Sequence, residues 1–384
     1  MKRYRILVSA VLMQLCLGAT YSWSVFVKPL RDLTSLPQGT AQLPFTLFYL
    51  AFPATMLFSG MILRRLGPRR SAMIGGLLFG TGWMVASLGH QHFMFVVLGI
   101  GLLAGVGVGF AYIVPIAVCT QWFPKQQGLV TGAAVAGFGA GAGLVSITSG
   151  WVMDAHGITP FQMFGWLGVV FLVVVVTAGL SMEYVRGFSA KVQRVLGIRS
   201  ILKDRIFRLL YLGMVTGLAA GFAVNANLKE LSPVQAVGIL AVVLFAVANA
   251  LGRLGWGFLF DRMNAATAIR LNLLVQALVL TGGLLVISEQ FWFLAFAVVA
   301  GFNYGGVLVL YASTCARLWG TEHVGEVYGL LFSANIVASP APVLAGYCLD
   351  AFGSFVPAFL GLATLLVVGV VVMGRVGEGS WQKP

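Results

Sequence analysis

Arg253 sits inside an apolar run, Val247-Ala-Asn249-Ala-Leu-Gly-Arg253-Leu-Gly-Trp256, where a cationic side chain is expensive. Placing a guanidinium at the centre of a bilayer span costs about 2.5 to 3.5 kcal/mol on insertion scales and far more on an isolated helix. At the rise of an α-helix, Arg253 lies about 12 Å from Asp261, the charge that ends the same run, and so near a bilayer midplane. The same count sets Tyr112 about 15 Å from Trp122, Tyr304 about 19 Å from Arg317 and Asn335 about 13 Å from Glu326. Four polar side chains therefore share one depth. The chemistry this permits is anion binding: Arg253 takes a carboxylate through its planar fork, and tyrosine and asparagine groups complete the hydrogen bonds. The structural alternative is that Arg253 pairs with the protein itself. No Asp, Glu, His or second Lys/Arg lies well inside any apolar run, which leaves backbone carbonyls or water for that role.

The elements that carry these residues follow from composition. The chain has 384 residues, 59% apolar and 9% charged, against roughly a quarter charged in a soluble domain. A soluble fold is excluded. At about 30 residues per span and connector, this length holds on the order of a dozen spans and no extramembrane catalytic domain. A net charge of +13 would suggest nucleic acid only if it formed a basic reading face. Here the basic residues lie between apolar runs and read as topology determinants, so no nucleic-acid partner is expected. Cys16, Cys119, Cys315 and Cys348 lie in or beside apolar segments without CxxC spacing, which indicates neither a disulfide framework nor a metal site. A membrane enzyme would need a nucleophile and base, metal ligands or haem histidines at depth. None is found, and no catalytic residue, cofactor or metal is expected.

Charge and Pro/Gly clusters divide the chain into twelve apolar stretches, near 6–30, 42–63, 71–88, 93–120, 128–152, 160–182, 208–228, 235–260, 267–287, 291–316, 327–349 and 354–374. The first begins after Lys2, Arg3 and Arg5 like a signal peptide, but it is long enough to span and reads as uncleaved. The expected fold is an all-α membrane protein of twelve transmembrane helices in two six-helix pseudo-repeats. Residues 1–182 form the N-terminal half, 183–208 a basic linker with Arg186, Lys191, Arg194, Arg199, Lys203, Arg205 and Arg208, and 209–384 the C-terminal half. With that linker cytoplasmic, both termini fall on the same side. Only Lys28, Arg31 and Lys229 then face outward and Arg253 lies within the membrane, as the positive-inside rule requires. Localisation in the cell (inner) membrane and a monomeric state are expected. The halves repeat: Ala104-Gly105 and Ala300-Gly301 are 196 residues apart, as are Cys119 and Cys315, and the Gly60…Arg65 and Gly257…Arg262 turns are 197 apart. Parallel repeats imply a pseudo-two-fold axis along the membrane normal and a cavity between the halves.

Two turns carry a further pattern, Gly60-Met-Ile-Leu-Arg64-Arg65-Leu-Gly67-Pro-Arg69-Arg70 and Gly257-Phe-Leu259-Phe-Asp261-Arg262-Met. Both resemble the loop motif of the major facilitator superfamily, Gly-x-Leu-x-Asp-Arg-x-Gly-Arg-Arg. This resemblance makes Gly60, Arg65, Gly67, Arg69, Gly257, Asp261 and Arg262 a cytoplasmic gating motif. The first copy has Arg64 in the place of Asp, which predicts a weaker clamp there. From Trp122, Trp-Phe-Pro-Lys125-Gln-Gln-Gly-Leu129-Val-Thr-Gly132-Ala-Ala134-Val-Ala136-Gly137 is similar to a monocarboxylate-transporter pattern. The first helix, Gly18-Ala-Thr-Tyr21-Ser-Trp23-Ser-Val-Phe26, resembles the oxalate/formate antiporters of the same branch.

That branch implies a substrate arginine in the eighth helix, at Asn249-Ala-Leu-Gly-Arg253. It places Asp four residues before the arginine in proton-coupled carriers, where this chain has Asn249. It places a second cation in the eleventh helix of oxalate carriers, where Leu330-Leu331-Phe332-Ser333-Ala334-Asn335 has neutral Asn335. One fixed cation favours one carboxylate, since a dianion would keep a charge uncompensated at low dielectric. The expected activity is secondary transport of a small organic anion, most simply a monocarboxylate, by alternating access with anion exchange. Proton-coupled symport, oxalate/formate-type dicarboxylate exchange and a non-transporting sensor on the same scaffold are the alternatives. Tyr21 reads equally as cavity lining or interfacial anchor, and Phe332 and Phe138 as apolar walls or packing. Gly101, Gly105 and Gly109, at i, i+4 and i+8, let the fourth helix approach a neighbour.

Overall fold

A computed structural model of the chain describes residues 2–36, 38–41, 43–185, 196–228, 231–232, 235–286 and 289–374. Parts of the sequence reading fall outside them: Arg186, Lys191 and Arg194 of the linker, Lys229, and the residues after 374. The regular elements among the described residues are all helices, without strands, because in hydrocarbon each backbone N–H and C=O must be satisfied within its own segment.

All twelve expected runs are occupied by helix. Among the described residues, ten helices are long and apolar enough to cross a membrane, including Lys2–Ser22, Met94–Trp122, Gln127–His156, Pro160–Gly179, Arg205–Asn227, Gln290–Trp319 and Val356–Gly374. Leu43–Met56 and Val324–Ala338 are shorter. The eighth run is Gln235–Phe260 and the ninth Ala265–Val286.

Several runs differ from uninterrupted helices. The first tightens to 3₁₀ bonding over Gly18–Ser22 and continues as Ser24–Thr34. The second ends its first helix at Met56 and resumes at Ser59, where the Phe58 amide turns back to Thr55 rather than one residue further. Pro53, inside that helix, removes one ladder hydrogen bond just before the break. Gly67, at φ 75° and ψ 167°, then separates the second span from the third. Only glycine accepts that conformation readily, and Pro68 excludes the helical region for the residue before it. The fourth span widens into π-helical bonding over Val97–Ala104. A Cβ at Gly101, Gly105 or Gly109 would strike the second span, at Leu47, Ala51 and Thr55 respectively, so this glycine ladder is a packing face. The eleventh run is interrupted at Ser339-Pro340 and continues as Ala341–Phe352.

The chain divides into two compact units. Unit 1 contains Met1–Pro124, Ala134–Arg194 and Val324–Leu330, and unit 2 contains Lys125–Ala133, Val195–His323 and Leu331–Pro384. The division departs from the sequence halves in two places: the first turns of the fifth span belong to unit 2, and those of the eleventh to unit 1. Unit 1 is built on an aromatic core in which Trp83 meets Phe26, Phe79, Phe164 and Phe171. Unit 2 contains a buried amide cluster. Asn272 and Asn303 each donate to the other's backbone carbonyl at 2.9 Å, and Gln276 donates to Gly217 O at 3.0 Å. Such bonds join helices where lipid offers no polar partner.

Candidate functional site

Arg253 lies in the Gln235–Phe260 helix and is 5% exposed. Its Nε donates to Asn249 Oδ1 at 3.2 Å, one helical turn back. Because an amide has one acceptor and two donors, holding the arginine with Oδ1 turns Nδ2 away as a donor. Asn249 is 8% exposed and its Nδ2 has no hydrogen-bond partner. The backbone here is clamped by glycines. A Cβ at Gly132 would lie 2.4 Å from Arg253 O, and one at Gly305 would lie 2.2 Å from Asn249 O and 3.0 Å from Arg253 N. The fifth and tenth spans therefore touch the main chain at the two residues that carry the polar groups.

The other candidates fall into two sets. In unit 2, Tyr304, next to Gly305, packs its ring on Phe222 and Phe245 with centroids 6.1 and 6.0 Å away, over the open surface of Gly221. Asn335 is buried and donates from Nδ2 to Phe332 O at 2.8 Å; Phe332 is buried too. Beside them Tyr211 and Ser333 share a hydrogen bond of 3.2 Å. In unit 1, Tyr112 and Tyr21 both set their rings edge-on to Phe138, at 5.3 and 4.9 Å. Tyr49 stacks on Tyr21 and Phe52 meets Tyr112. Gln14 Nε2 donates to Tyr112 O at 3.1 Å, tying the first span to the fourth at that residue. Thus Tyr21 and Phe138 belong to one aromatic cluster.

Both loop turns pack on the start of another helix. In unit 2, Asp261 accepts from Gly128 N at 2.8 Å and Leu129 N at 2.9 Å. It thereby caps the Gln127–His156 helix, where the unpaired amides and the helix dipole favour a carboxylate. Gly257 and Gly128 are in mutual close approach, each leaving no room for a Cβ against the other's carbonyl oxygen. Arg317 reinforces the corner. It donates to Met263 O and Phe260 O, at 2.8 and 3.1 Å, and comes within 4.0 Å of Asp261. Arg262 lies over the Phe258 ring.

Unit 1 holds the corresponding corner with an ion pair in the place of the cap. Arg64, in the place of the motif's acid, pairs with Glu326 in the first turn of the Val324–Phe332 helix. Gly60 packs directly on Glu326, Ser59 Oγ donates to Gly325 O at 2.5 Å, and Gly329 meets Met56 O. The acid that the motif lacks at position 64 is present on the facing helix, at Glu326. Arg65 and Arg69 are exposed, and Gly67 forms the kink described above.

Sequence reading missed Glu326, Arg317, Gln14 and the Asn272, Gln276 and Asn303 cluster as structural polar groups. For Glu326 the signal was available. The 197-residue repeat that relates Gly60 to Gly257 also relates Gly128 to Gly325, Gly132 to Gly329, Leu129 to Glu326 and Met56 to Arg253. The glycine contacts of one corner, Gly128 on Gly257 and Gly132 on Arg253, repeat at the other as Gly325 on Gly60 and Gly329 on Met56.

The sequence pattern of the Major Facilitator Superfamily matches residues 10–340. Among characterised relatives, the oxalate:formate antiporter of Oxalobacter formigenes is 25% identical over 355 residues, covering 88% of this chain and 82% of that protein. Monocarboxylate transporter 13 of Bos taurus is 26% identical over 339 residues, covering 80% and 74%. Among solved structures, the transporter FucP in its outward conformation superposes with a TM-score of 0.76 at 12% identity, over 96% of this chain and 97% of that one. At that identity the likeness speaks for the fold.

Proposed function

The chain belongs to the Major Facilitator Superfamily, a family of multi-pass membrane transporters, and on that premise we propose that it carries a small organic anion, a monocarboxylate, by exchange. The observation that carries this reading is the buried Arg253 with its Nε held by Asn249, beside an unpartnered amide donor. A buried donor without an acceptor costs about 1–3 kcal/mol. A carboxylate that takes one oxygen to the guanidinium and one to Asn249 Nδ2 removes that cost.

Coupling follows from the same groups. With Asp at position 249, the outward atom would be an acceptor, and it would repel a carboxylate until protonated. Asn249 presents a donor at every pH, so no proton is required for the anion to bind. The substrate-free site keeps its cation, which is costly to carry through an occluded state. Reorientation is therefore fast only with anion bound, and the net process is exchange. Neutral Asn335 supports a singly charged substrate. Relatives that handle oxalate, formate or monocarboxylates support the class.

The test is counterflow in proteoliposomes. Vesicles loaded with unlabelled formate, lactate or pyruvate should accumulate the labelled acid, and Arg253→Lys should reduce this by about two orders of magnitude, the scale of a lost charged hydrogen-bond pair. Arg253→Lys protein that is monodisperse and transports at the wild-type rate would refute the anchor. Thermal stabilisation by a carboxylate without any counterflow would instead identify a sensor.

A further inference from the structure

The short helix Ile198–Lys203 and the start of the seventh span form a surface that anion transport leaves unused. Ile198 and Leu202, one turn apart, are 58% and 48% exposed. Arg199 and Lys203, also exposed, form a second stripe rotated by about 100° from the first. Ile201 is 2% exposed on the opposite side and ties the helix into unit 2. Exposed Arg205 and Arg208 follow in the first turn of Arg205–Asn227. Asp204, the acid among these residues, is engaged: its carboxylate accepts from Ile206 N at 2.8 Å and Phe207 N at 3.4 Å.

A membrane span begins at Arg205, so the helix before it lies at headgroup level. In water there is no reason to expose two large aliphatic side chains beside four cations. At a membrane boundary both stripes are satisfied, the aliphatic one in the acyl region and the basic one among phosphates. Arginine forks match phosphate oxygens. A zwitterionic headgroup has no net charge to offer four cations, whereas an anionic one does. We propose that Arg199, Lys203, Arg205 and Arg208, with Ile198 and Leu202, form a binding surface for anionic phospholipid headgroups, which fixes this part of the connecting segment on the membrane surface.

Spin-labelled lipids test it. Full-length protein in phosphatidylcholine vesicles containing phosphatidylglycerol is titrated with either lipid in labelled form, and the immobilised fraction is read. Wild-type protein should select phosphatidylglycerol. In the Arg199→Gln/Lys203→Gln/Arg205→Gln/Arg208→Gln protein that selectivity should fall about fivefold or more, near the expected weight of even one surface cation. In wild type it should weaken at about 1 M salt, where the Debye length is about 3 Å. An Arg3→Gln/Arg5→Gln protein, altered elsewhere on the surface, should keep most of it. Unchanged selectivity in the four-residue variant, or a loss no larger than in the Arg3/Arg5 control, overturns the proposal.

Discussion

Asn249 determines what Arg253 can do. Its oxygen aligns the guanidinium and its nitrogen is left as a buried donor. Replacing it by Asp keeps the alignment but adds a negative charge against the arginine. The sign follows: in Asn249→Asp protein, transport should be poor while the new carboxyl is ionised and rise as pH falls and it takes up a proton, while wild type stays flat over the same range. Initial counterflow rates at a series of pH values measure this. Asn335 sets the second limit. Its amide nitrogen is spent on Phe332 O, so the position offers no cation. Asn335→Lys adds one, and competition by oxalate against labelled monocarboxylate should strengthen at least tenfold; unchanged competition would contradict the charge-counting argument.

Helix ends, rather than helix middles, carry the second functional feature. Both corners use the same glycine contacts at the same repeat spacing, yet Asp261 serves one as a cap while Arg64 and Glu326 serve the other as an ion pair. At the ion-paired corner the charges can be reversed only together. Arg64→Glu sets like charges against each other, and the Glu326 side chain is 8% exposed, so solvent screens little at that end. The single variant should lower Tm by several degrees and the Arg64→Glu/Glu326→Arg pair should regain most of it. Tm values of the four proteins of this cycle give the coupling directly. Asp261→Ala, which strips a cap from the fifth span, should cost about 0.5–2 kcal/mol.

For the whole molecule, the decisive quantity is charge carried per cycle. A carrier whose site gains a negative charge with its substrate and loses it on release is fastest, on the proposed reading, when anion travels both ways. Vesicles loaded with anion should therefore take up label at least tenfold faster than empty ones, and a protonophore should not change the loaded rate. Uptake into empty vesicles that is driven by an inward proton gradient and abolished by the protonophore would establish symport instead.

Hydropathy alone determined that the chain crosses a membrane twelve times, because the transfer free energy of each residue is local and sums along a span. The same locality made Arg253 conspicuous: a cation within an apolar run is costly whatever surrounds it. Interruptions were less legible. Pro53 and Gly67 stand in the sequence, but the break at Leu57-Phe58 depends on which helix packs there. Partnership was decided only by tertiary structure. Arg64 read as a lost acid until folding brought Glu326 to it, and Gln14, Asn272 and Asn303 each meet a carbonyl on another helix that no local pattern announces. A hydrogen bond or ion pair is a property of two positions far apart in the chain, and its energy enters no single-residue scale.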